Sequence, residues 1–221
     1  MNSIRLLTTI NPPPSAILTI IMIVTPRINE AIKLASRLHR NQIRNDSGKT
    51  PYVSHLVAVA MILSEATEDE DIIIAGLMHD SLEDVPGYTY EQLVLDCGKR
   101  VADIVKHVTE PLDANKDASE QLPWLERKEA YLEVLRNGGE ESAMVSSADK
   151  IHNTESFIQD IEREGDVFAK RFGSSILNRV WFHEQVLAVV SDKLGDGHIL
   201  VKSFSLSTDN FKTLGARLED K

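Results

Sequence analysis

The chain has 221 residues, with 24 Lys and Arg against 34 Asp and Glu, which leaves a formal net charge of −10. That balance argues against a nucleic-acid polymer or an anionic membrane as partner, because neutralising many phosphates needs a broad cationic footprint; an anionic small molecule must be met by a local pocket. The single cysteine, Cys97, excludes an intramolecular disulfide framework and a Cys-rich zinc site, leaves seven histidines and the carboxylates as candidate metal ligands, and suits a reducing, cytoplasmic setting.

Residues 1–24 read as an N-terminal extension. Their apolar run from Ala16 to Val24 is far shorter than the roughly 20 residues of a membrane-spanning helix. One positive charge, Arg5, and the interruption at Pro12 to Pro14 also fit a signal peptide poorly. Met22 stands just before a helix start, so the extension is expected to pack weakly and to include translated leader.

Residues 25–195 carry helical signals. Thr25 is a candidate N-cap with Pro26 at the first helical position, and Ile28, Ala31, Ile32, Ala35 and Leu38 follow at three-four spacing. This first helix should end near His39. The polar stretch from Asn41 to Tyr52, with Gly48 and Pro51, reads as a loop. A second helix is expected over Val53 to Glu65 and a third over Asp69 to Val85, stopped by Pro86-Gly87. Thr89 and Gln92 open a short helix that Gly98 closes, and a stripe from Val101 to Val108 continues to Pro111. Residues 113–122 read as a surface loop. Helices then follow over Trp124 to Arg136, Ala143 to Arg163 and Ile176 to Leu194. The tail, 196–221, gives no clear signal beyond room for a further short helix. Nothing alternates as a strand would, so the chain is predicted to be all-α.

The string His79-Asp80-Ser81-Leu82-Glu83-Asp84 carries the most chemistry. On one continuous helix His79 and Glu83 lie a turn apart, as do Asp80 and Asp84, so all four project over one sector. Three carboxylates and an imidazole on an otherwise apolar helix are costly to bury unless a cation compensates, and a divalent metal would do so. His55 opens the second helix, and Asp149 and Asn153 lie one turn apart on the long helix near the middle of the chain. With His79 and Asp80, His55 and Asp149 form a mixed nitrogen and oxygen set suited to manganese, iron or zinc.

The order Tyr52-Val53-Ser54-His55, His79 to Asp84, and Ala148-Asp149-Lys150-Ile151-His152-Asn153 resembles the HD-domain phosphohydrolases, specifically the hydrolase domain of RelA/SpoT proteins and the single-domain small alarmone hydrolases. Further matches run from Leu38 to His55, from Cys97 to Glu110 and from Glu126 to Leu135, so that the resemblance spans about Asn29 to Phe157. It implies an HD-domain helical bundle, manganese held by His55, His79, Asp80 and Asp149, and Glu83 and Asp84 as the catalytic acid pair. It also implies substrate contacts from Arg44 and Asn153, to which Lys49 and Lys150 add nearby cations. The reaction implied is release of pyrophosphate from the 3′ position of guanosine 3′,5′-bis(diphosphate), with a small-molecule nucleotide as partner and the oligomeric state left open. Two departures stand out. Asn45 occupies a position that is often Lys in the family, and Glu155-Ser156 replaces a common Leu-Arg. Fewer basic residues fit a second reading, another phosphorylated nucleotide or nucleotide cofactor. A non-catalytic nucleotide sensor ranks last, because the metal and acid positions are intact.

Other residues are expected to do less. His39 should lie in the core or behind the ligands, and His107 and His183 on the surface or as satisfied core groups. His152 is open between a structural role and a place behind the ligands. Trp124 and Trp181 should pack, although Trp124 precedes an Arg127-Lys128 pair able to face a nucleotide. Cys97 should be a small packed residue.

Overall fold

A computed structural model describes residues 24–46, 48–111, 121–165 and 176–219. The helices are α1 (Pro26–Leu38), α2 (Val53–Ser64), α3 (Glu70–Met78), α4 (Ser81–Asp84), α5 (Tyr90–Cys97), α6 (Lys99–Lys106), α7 (Trp124–Asn137), α8 (Glu140–Glu164), α9 (Ile176–Leu194) and α10 (Ile199–Glu219). No strand occurs among the described residues, where the one isolated bridge joins Ile43 to Pro51. The expected extension over residues 1–23 and the expected loop over residues 113–120 lie outside the described residues.

Local chemistry explains most of the boundaries. Thr25 caps α1 by accepting from the Ile28 amide at 3.3 Å, and Thr89 caps α5 through the Gln92 amide at 3.3 Å. Gly98, at φ +94°, turns the chain from α5 into α6 through a backbone region that favours glycine.

Helix α3 is buried from Ile72 to Met78 on all its faces, which places it at the centre of the bundle. It packs on α1, α2, α6 and α8. Gly76 permits the closest approach: a Cβ there would lie 2.4 Å from the Leu63 Cδ1 of α2. Helix α8 is likewise enclosed from Ser142 to Asp149, and its small residues carry hydroxyls that find partners. Ser146 pairs with the Tyr131 hydroxyl at 2.8 Å and Ser147 donates to the Ala143 carbonyl at 2.7 Å, so neither is a buried polar debt.

Two expectations are corrected. The single helix over Asp69 to Val85 is two helices, α3 and α4, joined at His79 and Asp80. The His79 ring Nδ1 lies 2.8 Å from the carbonyl of Gly76, the acceptor that a continuing helix would offer to the Asp80 amide. Asp80 then takes φ −91° and ψ 0°, between the helical and extended regions. Beyond Gly195, α10 is a helix of 21 residues in place of a short one. It packs on α8 and α9 and buries Leu200, Val201, Phe204 and Phe211.

Candidate active site

Two helices and one helix junction deliver the polar centre. His55 comes from the first turn of α2, His79 and Asp80 from the α3–α4 junction, and Asp149 from the buried middle of α8. His55 Nε2 lies 3.3 Å from His79 Nε2. Asp80 Oδ2 is 3.6 Å from the first nitrogen and 3.1 Å from the second, and Asp149 Oδ1 is 3.2 and 3.5 Å from the same two atoms. Ligands about 2.1 Å from one ion stand about 3.0 to 3.4 Å from their neighbours, so this spacing fits a first-row divalent cation.

The backs of these candidate ligands are hydrogen-bonded, as metal-ligating side chains commonly are. With His79 Nδ1–H donating to the Gly76 carbonyl, Nε2 is the nitrogen left to face an ion. His55 Nδ1 lies 2.8 Å from His152 Nδ1. Burial and the neighbouring His55 push His152 down to about 4, which keeps it neutral and able to accept from His55. His152 therefore holds the ring of the candidate ligand His55, a contact that its spacing from Asp149 left undecided. Tyr52 donates to Asp80 Oδ2 at 2.7 Å and stacks on the buried His39 ring at 5.4 Å. His39 in turn pairs through Nδ1 with Gln42 Oε1 at 2.5 Å, and Gln42 donates to the Asp84 carbonyl at 2.5 Å. Sequence spacing gave no hint of Tyr52 or Gln42 as supports, because their contacts form only between elements.

The electrostatics follow from crowding. Burial opposes charge at every ligand, yet Asp80 and Asp149 hold His79 well above the ordinary imidazole value. His79 in turn lowers Asp80, and Lys150 with the two imidazoles lowers Asp149. His55, where burial dominates, is lowered. Such a set binds a proton when no cation is there and must release it to a metal.

Glu83 stands beside this centre rather than in it. Its Oε2 accepts from the Glu110 amide at 3.1 Å, and burial together with Asp80 raises it to about 7. Asp84 is raised as well, by burial and then by Asp80. Glu83, Asp84 and Asp80 share a hollow of about 170 Å³ with Tyr52, Lys150 and Asn153.

That hollow meets a larger cavity of about 480 Å³, lined by Arg44, Arg127, Lys128, Lys150 and Arg179 and by the rings of Trp124 and Phe182. Arg44 reaches it because the Arg44 amide bonds to the Thr50 carbonyl at 2.8 Å and folds the α1–α2 loop back on itself. Its guanidinium donates to Asn153 Oδ1 at 3.2 and 3.3 Å, while Asn153 donates to Asp149 Oδ1 at 2.5 Å. Lys150 lines both spaces and pairs with Asp149 Oδ2 at 2.5 Å. Lys49 is the exception among the anticipated cations. It is exposed, at φ +50°, and lines neither space, because the turn that sends Arg44 inward carries Lys49 outward.

Several expected bystanders also face the cavity. Trp124 lies 6.2 Å from Phe182, ring to ring, and lines the wall. His183 is buried, bonded to Thr154, and lines the same cavity. Glu110 is buried and pairs with Arg127 and Lys128. His107 is half-buried and its Nδ1 meets the Asp103 carbonyl at 2.8 Å. Cys97 packs beside the core, where burial raises its thiol to about 11.

Comparison with known proteins shows the family and the fold. The family model of the HD domain matches residues 31–173. A guanosine-3′,5′-bis(diphosphate) 3′-pyrophosphohydrolase, MESH1 of Xenopus tropicalis, is 34% identical over 138 residues, covering 62% of this chain and 70% of its own. The bifunctional (p)ppGpp synthase/hydrolase SpoT of Escherichia coli is 38% identical over 110 residues, 50% of this chain and 14% of its own. A solved structure described as a metazoan ortholog of SpoT that hydrolyzes ppGpp superposes with a TM-score of 0.62 at 25% identity, covering 85% of this chain and 94% of that one. A crystal structure from Listeria monocytogenes shares the fold, with a TM-score of 0.59 at 24% identity over 72% of this chain and 99% of that one. With this match and the buried His-His-Asp-Asp centre together, the chain belongs to the HD-domain phosphohydrolase family.

Proposed function

We propose that this protein is a manganese-dependent guanosine 3′,5′-bis(diphosphate) 3′-pyrophosphohydrolase that acts in the cytoplasm on a free nucleotide alarmone. The observation that carries the reading is the placement of Glu83, poised near neutral pH, between a four-ligand centre and a cavity walled by guanidinium, ammonium and aromatic groups. His55, His79, Asp80 and Asp149 would hold the ion. When bound, it supplies Lewis acidity toward a phosphoryl oxygen and toward water.

The chain's own groups account for the rest of the reaction. Water adds its hydroxyl to the phosphorus next to the 3′-oxygen, that phosphorus–oxygen bond breaks, and pyrophosphate leaves the nucleoside. Glu83, with a value near the working pH, is suited to take the proton from water and return it to the departing 3′-oxygen. Asp84, on the same short helix, shares the hollow and keeps that side acidic. Arg44 offers a planar fork to phosphate and Lys150 a point charge, while Asn153 ties Arg44 to the ligand Asp149. Trp124 and Phe182 offer faces to a base.

A second reading has its own support. Asn45 and Ser156 line the cavity where the family often carries basic groups, which fits a less highly phosphorylated nucleotide or a phosphorylated nucleotide cofactor. A manganese-supplemented screen of purified protein against a nucleotide panel separates the two. Intact pyrophosphate released from guanosine 3′,5′-bis(diphosphate) supports the first reading. Orthophosphate released from another nucleotide, with that substrate untouched, replaces it by the second.

A further inference from the structure

Beside its cations and the carboxylates of Asp46 and Asp160, the large cavity is lined by one imidazole, that of His183. His183, on α9, is 8% exposed and sits among the rings of Phe182, Phe204 and Phe211, with centroids at 6.2, 5.9 and 5.5 Å. Its Nδ1 lies 2.8 Å from Thr154 Oγ1, and the one hydroxyl proton of Thr154 is already donated to the Lys150 carbonyl at 2.7 Å. The threonine oxygen must therefore accept, and His183 Nδ1–H must donate. A neutral imidazole carries a single N–H, so the tautomer is settled and Nε2 bears a lone pair. Burial and the nearby Lys150 ammonium push the imidazole down to about 3, which keeps it neutral.

Among the described residues Nε2 has no hydrogen-bond partner, and the ring lines the cavity shared with Trp124, Arg127 and Lys128. It does not line the hollow that holds Glu83 and Asp80. Phosphate oxygens are acceptors and gain nothing from a lone pair. Water entering the cavity can donate to Nε2, so a ligand group that displaces that water must itself bring a donor or leave the nitrogen unpaired.

We propose that His183 is a specificity-determining residue that reads the nucleoside: its Nε2 accepts a hydrogen bond from an N–H of the base or an O–H of the sugar. The inference rests on the nucleotide-hydrolase reading and adds to it a contact outside the phosphate and metal machinery. The cations grip charge wherever it occurs, whereas a fixed acceptor among aromatic rings discriminates by the donor pattern of an uncharged moiety.

The test compares His183→Leu and His183→Gln with the unaltered enzyme, loaded with manganese. In His183→Leu, KM for guanosine 3′,5′-bis(diphosphate) should rise about five- to tenfold, the worth of one hydrogen bond, with kcat within about twofold. The inhibition constant of inorganic pyrophosphate should not move. His183→Gln keeps a side-chain acceptor and should recover part of the loss. Parallel calorimetry with guanosine diphosphate, its 2′-deoxy form and inosine diphosphate locates the donor. Loss of the ribose preference in His183→Leu puts it on the sugar, and loss of the guanine preference puts it on the base amine. An unchanged KM in His183→Leu, or pyrophosphate inhibition weakened by the same factor as KM, overturns the proposal. Guanosine diphosphate binding needs no turnover, so a failed hydrolase reading, shown by an inert unaltered enzyme, stays distinguishable from a failed role for His183.

Discussion

Glu83 and Asp80 are three residues apart, yet their surroundings assign them different work. Asp80 meets both imidazole nitrogens, whereas Glu83 accepts a backbone amide and faces the hollow. Asp80→Ala should therefore lose tight manganese binding and activity together. Glu83→Ala should keep the ion and lose about 10²- to 10⁴-fold in kcat, the usual range for a missing acid-base group. Metal titration followed by turnover assays checks both, and full hydrolysis by Glu83→Ala would remove its assigned role.

Glu83 also ties stability to pH. Its folded value of about 7 lies above the ordinary 4.5, so the folded state holds the proton more tightly. The resulting stabilisation is complete below pH 4.5 and lost as pH rises through 7. In metal-free protein, Glu83→Gln should raise the melting temperature at pH 8, by the equivalent of on the order of 1–3 kcal/mol, and change it little at pH 4.5. A variant with the same offset at both values would contradict the buried-carboxylate account.

At the scale of the element, the junction of α3 and α4 does most to shape the site. Its bend depends on Gly76, which lets α3 press against α2 and whose carbonyl holds the His79 ring. Gly76→Ala would set a methyl against Leu63, a fully enclosed side chain. The expected cost is about 1–3 kcal/mol of stability, with weaker metal affinity because His79 moves with the helix. Thermal denaturation with and without manganese reads both effects. Helical periodicity could place an amphipathic segment across residues 69–85, but it could not show the bend, since the competing bond is made by a side chain to a carbonyl three residues back.

Across the whole molecule, the four candidate metal ligands come from segments that meet only when the bundle has formed. A bound ion should therefore act as a cross-link, adding about 2.7 kcal/mol at a free concentration one hundred times its dissociation constant. The melting temperature should rise with added manganese and fall back on chelation, whereas an unchanged value would place no ion among these four residues. Helix α10 supports the same centre from behind. Its Phe204 is fully buried against the core that contains α8, so Phe204→Ala should cost about 3–5 kcal/mol and loosen the position of Asp149. Urea unfolding, together with manganese affinity, would report that coupling.

The amino-acid order was enough to identify the helical class and most helix limits, because caps and three-four periodicity are local properties, and the family resemblance singled out His55, His79, Asp80, Asp149, Glu83 and Asp84, which the fold brings into one region. It also pointed to Arg44, Lys150 and Asn153, all of which reach the site, and to Lys49, which does not. Only the tertiary structure separated those cases, since the direction of a loop cation depends on how the loop folds back between α1 and α2. It likewise decided the contacts of His152, Tyr52 and His183, whose partners lie 97, 28 and 29 residues away in the chain. Hydrogen bonds across such separations leave no spacing signature; they exist only once packing has brought the helices together and excluded the water that would otherwise compete.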